Sequence, residues 1–242
     1  MTYSKRLWAY TLLLSLNAIP AQAMLIDRGN GMIYDSAQNI TWLQDANYAR
    51  TSGYDSDGLM NWNDATVWAA GLVYQSYDDW RLPTITDTHS PGCDWAYSGT
   101  DCGYNSDTAS SEMAYMYFVN LGLKSYRDAS DNYQSDFGIF GNGTFNGVDW
   151  SSYGQNNVGL VNNLQSYAYW SGSEYAPFPI SSWAFDTSFG GQHLIVKYGD
   201  FFAWAVRSGD VALPAQRNNV PEPGSLALLS LGLIALRRAK RR

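Results

Sequence analysis

The chain has 242 residues, 45% hydrophobic and 15% aromatic, with 22 acidic side chains against 15 basic ones and a net charge of −7. Seven of the basic residues lie at the two ends, so between 24 and 220 eight basic residues face 21 acidic ones, a net of −13. That surface repels phosphate backbones, anionic lipid and sulfated polysaccharide, which excludes nucleic acid as a partner and leaves neutral glycans, cations and basic surfaces open.

Lys5 and Arg6 precede an apolar run over 7–19 and the small-residue exit Ala21-Gln22-Ala23, the parts of a signal peptide cut after Ala23. The mature chain is then expected to begin at Met24. Residues 31–45, GMIYDSAQNITWLQD, hold two β-rich runs about a polar turn and predict a hairpin. An Asp/Gly loop follows and enters a helix with Asn61 as N-cap and Trp62, Ala65, Trp68 and Ala69 at helical spacing. Gly71 is expected to end that helix in the left-handed conformation. Cys93 and Cys102 sit in PGCDWAYSGTDCG, a turn-rich loop that in an exported chain predicts a local disulfide; a reactive thiol or metal pair is the alternative. A second helix is expected over 112–121, capped by Ser110 or Ser111 and stopped by Gly122. Over 135–165, Gly and Asn interleave with aromatics in a long excursion of the kind that often carries function. The last third reads as three or four antiparallel strands, with turns at Gly190-Gly191 and Gly199-Asp200. Two short helices in the first half and antiparallel sheet in the second give the expected class, a single α+β domain with much loop.

Residue supply limits the chemistry. His89 and His193 are the only histidines, and no G-x-S-x-G elbow accompanies the abundant Ser. Glu174 and Asp186 could be drawn as a glycosidase pair, but in so acidic a chain solvated surface carboxylates explain them equally. No constellation converges on catalysis, so no enzyme and no catalytic residue is expected. Asp55, Asp57 and Asp64, with Asn61 and Asn63, crowd hard oxygens around Gly58, the ligand type of Ca²⁺; a loop that only caps the next helix explains the same residues. For glycans, Trp95 and Tyr97 in the cysteine loop and Asp149, Trp150 and Tyr153 in the Gly-rich loop offer flat rings and hydroxyl partners, unless those rings only pin their own loops.

The C-terminus stacks Pro221-Glu222-Pro223, an eleven-residue apolar run from Leu226 to Leu236, and a basic end. Spanning a bilayer takes roughly 20 apolar residues, so the run is marginal as a plain anchor. The tail resembles the PEP-CTERM sorting signal of Gram-negative bacteria. The resemblance implies recognition at Pro221, Glu222 and Pro223 by the membrane protease-transpeptidase exosortase, transient or retained anchoring, and delivery to the cell surface or matrix, often alongside exopolysaccharide.

Three further blocks, DDWRLPT at 78–84, YWSGSEY at 169–175 and AWAVRSG at 203–209, resemble the signatures of the Lcl C-terminal domain family, which is similar to C-type-lectin-like and formylglycine-generating-enzyme-like folds. After Thr84 the chain departs from the family with ITDTHSPGC. Within the blocks, Trp80, Leu82, Pro83, Tyr169 and Trp170 are expected to build the fold, and Arg81 and Arg207 to need carboxylates, for which Asp79 or Asp186 is at hand. The organisation expected is a signal peptide over 1–23, an Lcl-like domain over 24–219 and a sorting signal over 220–242. Its expected function is non-enzymatic, lectin-like binding or adhesion to extracellular polysaccharide. A structural matrix protein is the alternative.

Overall fold

A computed structural model describes residues 25–89, 99–138 and 157–211. An Asn-Gly dipeptide sets the first hairpin. Asn30 and Gly31 take φ of 51° and 74°, the primed-turn geometry whose twist suits paired strands, and join β1 (Leu25–Gly29) to β2 (Met32–Asp35). β2 pairs antiparallel with β3 (Ile40–Leu43), from Met32 opposite Leu43 to Asp35 opposite Ile40. The hairpin expected within 31–45 is therefore present, and an additional strand precedes it. The buried Asp35 carboxylate shapes its turn, accepting from the Ala37 and Gln38 amides at 2.9 and 3.1 Å.

After the one-turn helix α1 (Tyr48–Thr51), β4 (Leu59–Met60) leads into α2 (Trp62–Ala70). Asn61 caps α2, its side chain accepting from the Asp64 amide at 3.1 Å, and Ala65, Trp68 and Ala69 form the buried stripe. The exit differs from the expectation: Gly71 has φ −92°, in the right-handed region. What glycine supplies there is room, since a Cβ would stand 3.2 Å from the Val67 carbonyl oxygen.

β5 (Gly103–Tyr104) precedes α3 (Glu112–Ala114), which Ser111 caps by accepting from the Ala114 amide at 3.0 Å. The helix expected to run to 121 as an α-helix turns π-helical over Tyr115–Asn120. At its end Asn120 donates to Asp35 Oδ2 at 2.6 Å, tying this segment to the first hairpin turn, and Gly122 reverses the chain with φ 64°.

A small ribbon, β6 (Asn157–Val158) with β7 (Val161–Asn162), precedes β8 (Ala168–Glu174), β9 (Ser181–Asp186) and β10 (Gly191–Val196), which pair antiparallel in succession. β11 (Phe201–Phe202) joins β8 in parallel, with Phe202 opposite Tyr169, and β12 (Val206–Ser208) leaves for β3, with Val206 opposite Trp42. The result is a six-stranded sheet ordered β4-β11-β8-β9-β10-β5 and a four-stranded sheet ordered β1-β2-β3-β12. The fold is α+β, mostly sheet with a few short helices. The placing of the sheet in the second half is corrected, because FFAWAVRSG serves both sheets. The physical reason is Trp204: fully buried between them, it packs on Trp42 at 4.5 Å and donates to the Leu43 carbonyl at 2.7 Å.

The RLPT block is sutured to the same crossing. The Arg81 amide donates to the Val206 carbonyl and the Val206 amide to the Arg81 carbonyl, each at 2.8 Å. Trp80, Leu82 and Pro83 are buried beside it, as are Tyr169 and Trp170 on β8, where Trp170 donates to the Met60 carbonyl at 2.8 Å. Arg207 takes Asp79, at 2.6 and 2.9 Å; Arg81 takes Glu112, both contacts at 2.7 Å, rather than either aspartate proposed for it. Asp186 is occupied by its own turn, accepting from the Ser188 amide at 2.8 Å.

Candidate functional site

One end of the six-stranded sheet gathers three chain segments: the 175–180 connection between β8 and β9, the 197–200 turn after β10, and the N-terminus of α2. Backbone bonds fix them together, with Lys197 N donating to the Ile180 carbonyl at 2.9 Å and Trp62 N to the Lys197 carbonyl at 3.0 Å. The 175–180 connection closes on itself, Phe178 N donating to the Tyr175 carbonyl at 3.0 Å and Ser181 N to the Phe178 carbonyl at 2.8 Å. Three large apolar side chains nevertheless face solvent there: Tyr198 is 74% exposed, Phe178 65% and Ile180 63%. Phe178 stacks on Tyr175, which meets the buried Trp183 edge-on, so the exposed ring rests on a fixed support. A cavity of about 300 Å³ opens between Asn61, Asn63, Ile180, Lys197 and Tyr198.

This end carries net negative charge, since Asp64 at the start of α2 and Asp200 in the 197–200 turn add to a single ion pair. Lys197 pairs with Glu174 and lies 4.2 Å over the Trp62 ring, while Trp62 donates to the Ser171 carbonyl at 2.8 Å. What remains for a ligand is flat apolar surface flanked by amides, an arrangement suited to a neutral polyhydroxylated molecule whose CH faces pack on rings while its hydroxyls meet Asn63.

The other expected sites fare differently. Asp55 Oδ1 accepts from the amides of Asp57 and Gly58 at 3.0 and 2.7 Å, Asp57 Oδ1 from Leu59 at 2.9 Å, and Asp64 Oδ2 from the Asn61 amide group at 2.6 Å. Partial burial works the other way, but the Asp57 and Gly58 amides hold the Asp55 carboxyl below its ordinary range. These oxygens close a loop and cap α2. Among the described residues no group of three or more His, Cys, Asp or Glu side chains is placed to hold a metal ion.

Glu174 stands across from Ser182 and Asp186 across from Ala168. The two carboxylates therefore leave from opposite ends of the β8–β9 pair, roughly 13 Å apart along β9, beyond the separations that glycosidase pairs use. His89 is exposed beside Asp87, and His193 on β10 has its pKa lowered, burial outweighing the raising influence of Asp186. A larger cavity, about 450 Å³, has Thr84, Thr86, Thr108, Ser110 and Ser111 in its lining, and its one acid, Glu112, is held by Arg81 and by the Thr84 amide at 2.7 Å.

Cys102 is buried with Ile85 and Trp183. Cys93, Trp95 and Tyr97, the glycan candidates Asp149, Trp150 and Tyr153, the signal-peptide residues Ala21 and Ala23, and Pro221, Glu222 and Pro223 all lie outside the described residues. Reading the sequence missed Phe178, Ile180 and Tyr198. The signal was present: APFPI between two strand runs places apolar residues in a turn too short to bury them.

Among known proteins, the family model of the PEP-CTERM protein-sorting motif matches residues 219–242. No curated protein and no solved structure matches the chain. The C-terminal match makes this an exported protein targeted by exosortase and sorted to the cell envelope or surface.

Proposed function

We propose that this chain is a non-enzymatic, lectin-like adhesion module, displayed on a Gram-negative cell surface or in its matrix, that contacts neutral extracellular polysaccharide through the aromatic and amide end of its large sheet. The observation that carries the reading is the exposure of Tyr198 and Ile180 on a cavity edged by Asn61 and Asn63, with Phe178 exposed on the same connection as Ile180, on a protein whose sorting signal takes it to the cell exterior. Exposed aromatic clusters of this kind mark interaction surfaces, and the surplus of acid around it, Asp64 and Asp200 beside the Lys197–Glu174 pair, disfavours an anionic ligand.

The reading includes an N-terminal signal peptide cut after Ala23, a C-type-lectin-like arrangement of the Lcl C-terminal type, and a disulfide between Cys93 and Cys102. A neutral-glycan array probed with the purified chain tests it. Saturable binding that falls at least roughly fivefold in Tyr198→Ala and Phe178→Ala, the size expected when a stacking ring is removed, supports it. Silence on all neutral glycans, or binding unchanged in both variants, overturns it.

A further inference from the structure

Seven lysines and arginines lie among the described residues, and six of them are paired with carboxylates: Arg28 with Asp210, Arg81 with Glu112, Lys124 with Asp136, Arg127 with Asp131, Lys197 with Glu174 and Arg207 with Asp79. Arg50 alone among them has no acidic partner. In a chain whose exported part carries −13, an unpaired guanidinium is the exception.

It is also placed. Arg50 and Thr51 on α1, with Asn47 before them, line one wall of a cavity of about 320 Å³, and Asn163 and Gln165, on the segment entering β8, line the other. No acid contributes to the lining. The nearest along the chain, Asp45, accepts from the Asn47 amide at 2.9 Å, and Asp55 closes its own turn. The walls are stiff. Thr51 Oγ1 donates to the Asn47 carbonyl at 3.2 Å, Gln165 Nε2 to the Asn163 carbonyl at 2.7 Å, and the Gln165 amide to the Tyr169 hydroxyl at 2.7 Å. Asn47 is 97% buried, and its side-chain oxygen Oδ1 has no hydrogen-bond partner; it is pressed against Gly58, where a Cβ would come within 2.0 Å of it.

The lining therefore combines one unpaired guanidinium, a hydroxyl and three carboxamides in a volume at the lower end of small-molecule sites. A guanidinium recognises a carboxylate through paired N–H donors, and amides and hydroxyls match a ring of alcohols. We infer that this cavity is a second binding site, distinct from the aromatic end, for a carboxylate on a polyhydroxylated unit, that is, an isolated hexuronate residue on an otherwise neutral polysaccharide, since a net charge of −13 repels a densely anionic polymer. Arg50 takes the carboxylate, and Thr51 and Asn163 take hydroxyls. Because Arg50 is solvated, the unit binds weakly.

The test titrates the full chain with galacturonate, galactose and galactose 6-sulfate, following the backbone amide resonances of residues 47–51 and 163–165. The expected result is a saturable shift with galacturonate, at least tenfold weaker binding of galactose, and at least a tenfold loss in Arg50→Gln with partial rescue by Arg50→Lys. Tyr198→Ala leaves this binding unchanged, so its failure and that of the aromatic site are separable. Equal binding of galactose and galacturonate, equal binding by Arg50→Gln, shifts outside these segments, or preference for the sulfate would each overturn the assignment. Arg50 makes no side-chain contact that folding needs, so its variants fold, which circular dichroism checks.

Discussion

Glu112 accepts three hydrogen bonds, two from Arg81 and one from the Thr84 amide, and so ties the RLPT block to the start of α3. Glu112→Ala leaves a half-buried guanidinium and an amide without their acceptor, and the expected loss is about 2 kcal/mol in urea denaturation. A loss below about 0.5 kcal/mol would show that the pair is ornamental, as exposed ion pairs often are. Asp79 illustrates the second kind. The hydrogen bond from Arg207 lowers its pKa below the ordinary 3.8, so the folded state holds the proton less tightly than the unfolded chain. The stabilisation is then fully present above pH 3.8 and is lost as pH falls through the folded value. Half of the Asp79 side chain is exposed, which limits the term to under about 1 kcal/mol. Wild type and Asp79→Asn should differ in denaturation midpoint at pH 7 and converge in acid; a gap that widens in acid contradicts the pairing. The need of both arginines for carboxylates was legible in the sequence, and Asp79 could be named for Arg207. Glu112 could not be found for Arg81, because it lies 31 residues away and reaches it only through the fold.

The turn between β9 and β10 depends on one glycine. Gly190 has φ 65°, and a Cβ there would lie 2.8 Å from the Tyr117 ring and 2.9 Å from Ser125 Cα. Gly190→Ala should cost about 2 kcal/mol or more, because both the dihedral and the space are wrong; an unchanged thermal midpoint would refute that geometry. Turn chemistry is where the sequence was most readable. Gly190-Gly191, the Asn61 cap and the 31–45 hairpin all follow from local residue types, and Asn30-Gly31 carried an equally plain signal for the strand before them. The π-helical turn was not readable, since MAYMYFV offers no polar position to distinguish a 3.6-residue period from a wider one. Nor was the division of FFAWAVRSG between two sheets, which Trp204 decides by long-range packing.

At the scale of the molecule, the address and the proposed binding surface are separate parts. The sorting motif at 219–242 follows the described domain and shares no segment with the aromatic end or the Arg50 cavity. Deleting 220–242 should abolish surface retention, followed by cell fractionation, while leaving the thermal midpoint of the domain unchanged; retention without the tail would contradict its role. The tail was legible because it is a linear signal. The exposed aromatic end was legible only as a surplus of aromatics, since which rings stay outside is fixed by how the sheets close. The central proposal is that the described domain holds glycan at the end bearing Tyr198. The most direct measurement is a binding isotherm of the purified chain on the producer's own exopolysaccharide, with calcium and with chelator, for wild type and Tyr198→Ala. The account predicts saturable binding that the substitution weakens at least roughly fivefold in both conditions, the size expected for loss of a stacking ring. No binding in either condition would contradict it and leave a structural matrix protein whose one assigned functional element is its sorting tail.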